Sequence, residues 1–195
     1  MPDTQPDARP DARPDVRVER SRTQLADALR TLLGSHDARD ISVSALCAEA
    51  GVSRPTFYQH FASVDDVAVA GIEERFTRLR AELEAADGTA CDSAEASRRL
   101  LVGFLEELGD ERATWQRTIG SGTAFSASRD AVETWLADQM AERHPGSDPA
   151  VRRYAAAGFL GVVRAWLLQE DGPERPTAVE LAERLAEVSA RVMQR

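Results

Sequence analysis

The sequence is poor in cysteine and contains no lysine. Two cysteines, Cys47 and Cys91, occur among 195 residues, and they do not form a CxxC pair. This pattern excludes a disulfide framework and offers no cysteine pattern for zinc, so we expect a cytoplasmic protein without a metal or a cofactor. All 24 basic residues are arginine, which is typical of a GC-rich genome and says nothing about function.

Long apolar runs are absent too. The most apolar stretch, residues 154–168, is interrupted by Arg164 and is shorter than the roughly 20 residues that cross a bilayer. The N-terminus has no apolar signal segment. We therefore expect no membrane partner.

Patterns that mark enzymes are also missing. The three histidines, His36, His60 and His144, fall in three different predicted elements. Neither a G-x-S-x-G motif nor a phosphate-binding glycine loop occurs. We therefore do not expect an enzyme.

The composition predicts an all-α fold. Aromatic residues make up 6% of the chain, alternating β-branched runs are absent, and helix formers dominate. Apolar residues at helical spacing predict helices at about 18–34, 43–50, 54–60, 64–86, 91–109, 111–121, 125–143, 148–170 and 177–194. The expected organisation is a disordered arm (1–17), a three-helix unit (18–64) and a larger helical unit (65–195) that begins with the long fourth helix.

The predicted arm reads Pro-Asp-Ala-Arg twice and then Pro-Asp-Val-Arg over residues 6–17. Proline blocks helix propagation, and Asp and Arg offer nothing to bury. Two interpretations stay open, an inert solvated leader and an arm whose arginines reach a DNA minor groove.

The net charge of −9 at first sight opposes binding to the phosphate backbone of DNA. Its distribution weakens that objection. Residues 17–64 carry six arginines against five acidic residues, whereas residues 65–195 carry sixteen against twenty-four. The acidic excess therefore lies outside the three-helix unit.

A helix-turn-helix pattern lies in the three-helix unit. Ser42 is placed to cap the second helix, Gly51 to take the positive φ of a sharp turn, and Ser53 to cap the third helix. Phe57 and Phe61 lie four residues apart on the expected buried side, opposite a polar and aromatic face. This spacing is typical of DNA-binding helix-turn-helix units.

The stretch ISVSALCAEAGVSRPTFYQHFASVDDV, with flanks over residues 18–75, resembles the signature of TetR-family transcriptional repressors. The resemblance implies two groups of DNA contacts. The side chains expected on backbone phosphates are Ser42, Thr56, Tyr58 and His60. Those expected at base edges are Arg54, Pro55 and Gln59. By their chemistry, Arg54 suits a guanine, Pro55 a thymine methyl and Gln59 an adenine. Singly, each could equally be an ordinary surface residue, but together they favour DNA contact.

The resemblance further implies a homodimer on a palindromic operator of double-stranded DNA, released by a small apolar or amphipathic effector. An architectural DNA-binding regulator of the same fold, without an effector, is the alternative. One position departs from the family, because Val64 stands where a lysine usually follows Ser63. We expect one phosphate contact fewer and a weaker salt dependence.

The last two helices carry an association pattern. Small residues at four-residue steps in the eighth helix would let another helix approach closely, and these are Ala157, Gly161 and Ala165. The ninth helix has a narrow apolar seam of Ala178, Leu181, Leu185, Val188 and Val192. The resemblance places the homodimer interface on these two helices, and packing within one subunit is the alternative.

Several aromatic residues and one hydroxyl lie between the three-helix unit and the last two helices. They form a candidate effector site, namely Phe104, Trp115, Thr118, Phe125, Trp135 and Tyr154. Ordinary core packing is the alternative for each of them.

Overall fold

The protein is helical almost throughout the computed structural model, which describes residues 16–86, 93–120 and 125–193. These residues contain no strand, so the all-α prediction is confirmed. The helices described are α1 (Val16–Leu33), α2 (Val43–Ala50), α3 (Arg54–His60), α4 (Val64–Ala86), α5 (Ser93–Asp110), α6 (Arg112–Ile119), α7 (Ser126–Arg143), α8 (Pro149–Leu168) and α9 (Ala178–Met193). No helix in the described ranges is long and apolar enough to cross a membrane.

The observed helices begin and end within two residues of the predicted ones. Most of the predicted arm, residues 1–15, lies outside the described residues. Its last two residues belong to α1, so the helix begins slightly earlier than predicted. A short 3₁₀ turn, Ala38–Asp40, fills the loop between α1 and α2.

Side-chain caps start several of the helices, including the predicted cap at Ser42. The Ser42 hydroxyl accepts from the Ala45 N–H at 3.1 Å. Ser63 and Asp66 form a reciprocal capping box at the start of α4, with N···O distances of 2.9 and 3.1 Å. The box of Thr177 and Glu180 at α9 is formed in the same way. Each cap contributes about 1 kcal/mol by satisfying backbone donors that have no partner within the helix.

The first hydrophobic core, called here the N-terminal core, joins α1, α2 and α3 to the first turns of α4. Its fully buried side chains include Leu25, Leu46, Phe57 and Val67. Seven residues of α3 are too few for a helix that is stable by itself, so this core holds α3 in place.

The second hydrophobic core, called here the C-terminal core, joins the middle of α4 to α5–α9. Phe76 of α4 lies inside it, only nine residues after Val67. The predicted long fourth helix therefore packs in both cores. The main contacts within the larger unit are α4 with α7, α5 with α9, and α7 with α8.

The predicted seam on α9 is divided by the packing. Leu181 and Leu185 are 5% and 6% exposed and belong to the C-terminal core, because α9 packs along α5. Ala178 packs against the same core. Val188 is exposed. The alternative of packing within one subunit is thus correct for the two leucines, and the seam prediction is wrong there.

Gly51 ends α2 in the left-handed region, with φ 65°. A Cβ there would meet nothing within 4 Å, so any cost of Gly51→Ala comes from the backbone alone. We expect a loss of about 1 kcal/mol in the free energy of unfolding, measured by urea denaturation. Gly146→Ala is the control, because that glycine also has open space but lies outside the left-handed region. Equal losses for the two variants would contradict the prediction.

Candidate nucleic-acid interface

The turn between α2 and α3 directs the chain sharply from one helix into the next. The Gly51 backbone N–H donates to carbonyl groups at the end of α2. The Val52 N–H donates to the Cys47 carbonyl at 3.0 Å. The Ser53 hydroxyl then accepts from the Thr56 N–H at 3.2 Å. Pro55 lies in the first turn of α3, where a missing N–H leaves no hydrogen bond unmade. The predicted helix-turn-helix is therefore present.

One face of α3 is anchored in the N-terminal core. Phe57 is fully buried, Phe61 nearly so, and their ring centroids are 6.2 Å apart. The Arg22 guanidinium lies over the Phe61 ring at 4.8 Å from its centroid. Cys47 also packs in the N-terminal core. This burial raises the pKa of its thiol and keeps the thiol neutral. The opposite face of α3 is left to solvent.

That outer face brings together most of the predicted DNA contacts. Arg54, Pro55 and Gln59 are exposed, and His60 is half-buried at the end of the helix. Tyr58 is 55% exposed and packs edge-on against the Phe57 ring at 5.2 Å, which fixes the ring direction. The short helix thus presents a guanidinium, an amide, a phenol and an imidazole on one surface.

The two remaining predicted contacts are hydroxyl groups at helix starts. Ser42 is exposed and uses its oxygen as the cap of α2. The Thr56 hydroxyl lies 2.8 Å from the Ser53 hydroxyl. A capping serine accepts with a lone pair, so the Ser42 O–H can still donate to a phosphate oxygen. Val64, at the departure from the family pattern, is half-buried and packs against the N-terminal core.

The predicted effector residues do not form one group. Phe104, Trp115 and Trp135 surround Phe76 in the C-terminal core, with ring centroids 4.8–5.6 Å from it. Thr118 is buried, and its hydroxyl donates to the Thr114 carbonyl at 2.8 Å. Phe104 and Trp135 therefore pack against Phe76 and each other, whereas Trp115 and Thr118 also line a cleft beside α1 and α4.

Two members of that set lie elsewhere. Phe125 precedes α7 and packs in the N-terminal core, because the start of α7 docks on the start of α4. Tyr154 is 74% exposed on α8. Both are corrections to the predicted cavity, since neither touches the aromatic cluster around Phe76. The described residues also contain no group of His, Cys, Asp and Glu that could hold a metal ion.

Charged residues that the sequence analysis missed join the two cores. Glu111, between α5 and α6, accepts from Arg30 of α1 and from Arg75 of α4, each at 3.0 Å. Arg75 also pairs with Glu107. These partners are 32 to 81 residues apart in sequence, so no local pattern could reveal them.

Two further contacts join the end of α1 to α6 and the start of α4 to the start of α7. The Arg117 guanidinium of α6 donates to the last carbonyls of α1, those of Leu33 at 2.9 Å and Gly34 at 3.2 Å. The Asp65 carboxylate of α4 accepts from the Ala127 N–H and the Ser128 hydroxyl at the start of α7. The Arg117 cation at the C-terminal end of α1 and the Asp65 anion at the N-terminal end of α7 each interact favourably with the helix dipole there.

Residues 25–70 match the family model of the bacterial regulatory proteins of the tetR family. Over these residues the chain is of the TetR family. The matched residues include the whole helix-turn-helix and the first turns of α4. No curated protein matches the chain.

Solved structures extend the likeness to the whole TetR fold. A TetR transcriptional regulator from Rhodococcus sp. RHA1 has a TM-score of 0.67 and 17% identity, covering 90% of this chain and 97% of its own. FadR of Thermus thermophilus, solved in complex with lauroyl-CoA, has a TM-score of 0.67 and 17% identity, covering 88% and 94%. The fatty acid degradation regulator FadR from Bacillus halodurans has a TM-score of 0.58 and 17% identity, covering 87% and 94%. At these identities the likeness shows the fold.

The Glu111 contacts make stability depend on pH. The hydrogen bond from Arg75 lowers the pKa of Glu111, and partial burial opposes it. A carboxyl group with a lowered folded pKa stabilises above its unfolded pKa of about 4.3, and that stability is lost as the pH falls through the folded pKa. We expect Glu111→Gln to be about 1 kcal/mol less stable at pH 7, with a smaller difference below about pH 4.

Denaturant unfolding at pH 7, 5 and 3.5 checks this expectation. The control is Glu106→Gln, an exposed carboxylate on α5. A Glu111→Gln deficit that stays constant over this pH range would contradict it.

Proposed function

We propose that the protein is a sequence-specific DNA-binding transcriptional repressor that acts as a homodimer on a palindromic operator. The observation that carries the proposal is the outer face of α3. Phe57 and Phe61 anchor this helix, while Arg54, Tyr58 and Gln59 extend from the opposite side. Such a helix fits the major groove of B-DNA.

The chemistry of each side chain suggests its role. Arg54 can donate two hydrogen bonds to a guanine, Gln59 can pair with an adenine, and the Pro55 ring can touch a thymine methyl. Hydroxyl and imidazole groups at the edges suit phosphate oxygens, which set position without reading sequence, and these are Ser42, Thr56, Tyr58 and His60.

An exposed face on α8 supports the homodimer. Tyr154, Val162 and Leu168 are exposed large side chains, and Gly161 lies between them with nothing within 4 Å of a built Cβ. Exposed alanines at 157 and 165 continue the same small-residue stripe. On α9 the exposed Val188 can join it. A two-fold pair of reading helices would contact half-sites about 34 Å apart.

A small amphipathic effector would make the repressor responsive. One structural relative, FadR of Thermus thermophilus, was solved with lauroyl-CoA, which supports an effector of amphipathic character. An effector must bind better to the arrangement that cannot bind DNA. A hundredfold loss of operator affinity requires about 2.7 kcal/mol of coupling.

An architectural DNA-binding regulator is the second candidate. The observation that favours it is the close packing of Phe76, Phe104 and Trp135 in the C-terminal core, which leaves those rings in contact with each other. The reading face of α3 would serve this function equally well.

Selection of bound sequences from random duplexes, followed by binding to the DNA upstream of its own gene, tests the function. One short palindrome supports a local repressor, and many unrelated genomic sites support the architectural alternative. No enrichment of any sequence would refute the DNA-binding proposal.

Substitutions on α3 separate the two kinds of contact. Tyr58→Ala removes a phosphate contact, so we expect similar weakening on all duplexes. Arg54→Ala removes a base contact, so we expect relaxed preference at one position and a loss of about 1–3 kcal/mol on the selected site. Binding by fluorescence anisotropy to matched and mismatched duplexes measures both.

Arg98→Ala, which removes an exposed arginine of α5, is the matched control and should leave DNA affinity unchanged. If Tyr58→Ala changed base preference and Arg54→Ala did not, the assigned roles would be reversed.

The dimer surface has its own test. Gly161→Arg would place a long charged side chain in the small-residue stripe of α8, so we expect at least a tenfold weaker dimer by analytical ultracentrifugation. Gly172→Arg is the control, because that glycine has equally open space in the loop after α8. A Gly161→Arg protein that remains as dimeric as the control would place the interface elsewhere.

A further inference from the structure

A cleft of about 360 Å³ lies where the two hydrophobic cores meet. Ala26 and Leu29 of α1 form one wall, Gly71 and Ile72 of α4 form another, and Trp115 of α6 contributes as well. This volume is within the range of small-molecule sites. Two of the residues that the sequence assigned to an effector site, Trp115 and Thr118, line this cleft, whereas Phe104 and Trp135 do not.

Trp115 carries a polar atom with an unmet hydrogen bond. The residue is 3% exposed, stacks on Phe76 at 5.6 Å, and borders the cleft. Its Nε1–H is buried and has no acceptor within the described part of the chain. The neighbouring Thr118 hydroxyl donates to the Thr114 carbonyl and does not accept from the Trp115 Nε1–H. Because an unpaired buried donor is costly, an acceptor that reached Nε1 would be favoured.

The charges around the cleft are engaged with each other. Arg75 is held by Glu107 and Glu111. Arg30 lies 3.0 Å from Glu111, and a similar pair joins Arg78 to Glu74 at 3.6 Å. A charged guest would have to compete with these ion pairs, whereas an uncharged guest would leave them intact.

We propose that this cleft is the effector site and that it takes an uncharged amphipathic small molecule with an acceptor oxygen, which receives the Trp115 Nε1–H. The apolar part of the molecule lies along Ala26, Gly71 and Leu79, which line the cleft and are only partly buried. The regulatory consequence rests on the proposed repressor function, while binding to the cleft does not.

The position of the cleft explains how such a molecule would act. α1 belongs to the N-terminal core and α6 packs in the C-terminal core, so a guest touches both units. Occupancy would favour one spacing of α1 and α6, which are otherwise joined by Arg117. Operator affinity would change only by the difference in the affinity of the guest for the two arrangements.

The three tryptophans provide an internal comparison. Trp115 borders the cleft, Trp135 lies in the aromatic cluster, and the Trp166 Nε1 already donates to the Pro176 carbonyl at 2.8 Å. The indole N–H signals of the full chain, labelled with ¹⁵N-tryptophan, are recorded during titration with 2-ketones of six to ten carbons. Octanoate and octyltrimethylammonium are the charged probes.

Titration with at least one ketone should shift the Trp115 indole N–H signal downfield until the shift saturates, while the Trp166 signal stays unchanged. The charged probes should bind at least about tenfold more weakly. Three results would each overturn the proposal: no saturable shift of Trp115 with any ketone, a shift of Trp135 alone, or tighter binding of either charged probe.

Variants test the hydrogen bond and the space separately. Trp115→Phe keeps an aromatic ring but removes the donor, so ketone affinity, measured by calorimetry, should fall about five- to tenfold. Gly71→Leu should abolish binding, because a built Cβ at that glycine is already 3.5 Å from Ala26 Cβ. Trp166→Phe is the control and should bind as the parent does. Unchanged affinity in both cleft variants would overturn the site.

Operator binding with and without ketone separates this inference from the proposed function. Failure to bind any duplex, with a saturable Trp115 shift, refutes the repressor and leaves the cleft as a binding site. Operator binding that the cleft ligand does not change refutes its role as the effector site.

Discussion

The packing of α4 into two hydrophobic cores is the constraint on which the rest of the structure depends. Val67 and Ala68 lie in the N-terminal core, and Ile72 and Phe76 lie in the C-terminal core, one to two turns later on the same continuous helix. Since a helix transmits position along its axis with little deformation, the two units cannot move independently near this point. The cleft beside Gly71 lies at the transition between the cores.

The helix α3 illustrates how a short element gains a definite position. With seven residues, α3 has too few internal hydrogen bonds to persist in isolation. The Ser53 cap starts it, and the burial of Phe57 and Phe61 orients it. Arg54, Tyr58 and Gln59 then reach solvent on the opposite face, so these side chains could change without disturbing the core.

The junction between the units combines polar bonds with open space. Glu111 and Arg117 connect the larger unit to α1, and Asp65 connects the start of α4 to the start of α7, through directional bonds to charged groups or helix ends. Such bonds have few alternative geometries, so they set the spacing of α1 and α6 beside the cleft. A guest that changes this spacing would act on α1 directly, and through it on the core that supports α3.

The sequence by itself determined the helices, their caps, the positive φ of Gly51 and the division of α3 into a buried and an outer face. These features depend on residues at most four apart, where backbone geometry leaves few options. Tertiary structure alone decided that Phe125 joins the N-terminal core, that Tyr154 is exposed, and that Leu181 faces α5. It also decided the partners of Glu111 and the place of the cleft. An apolar or charged residue in a sequence shows that it needs a partner, but which helix supplies the partner depends on how all the helices pack together.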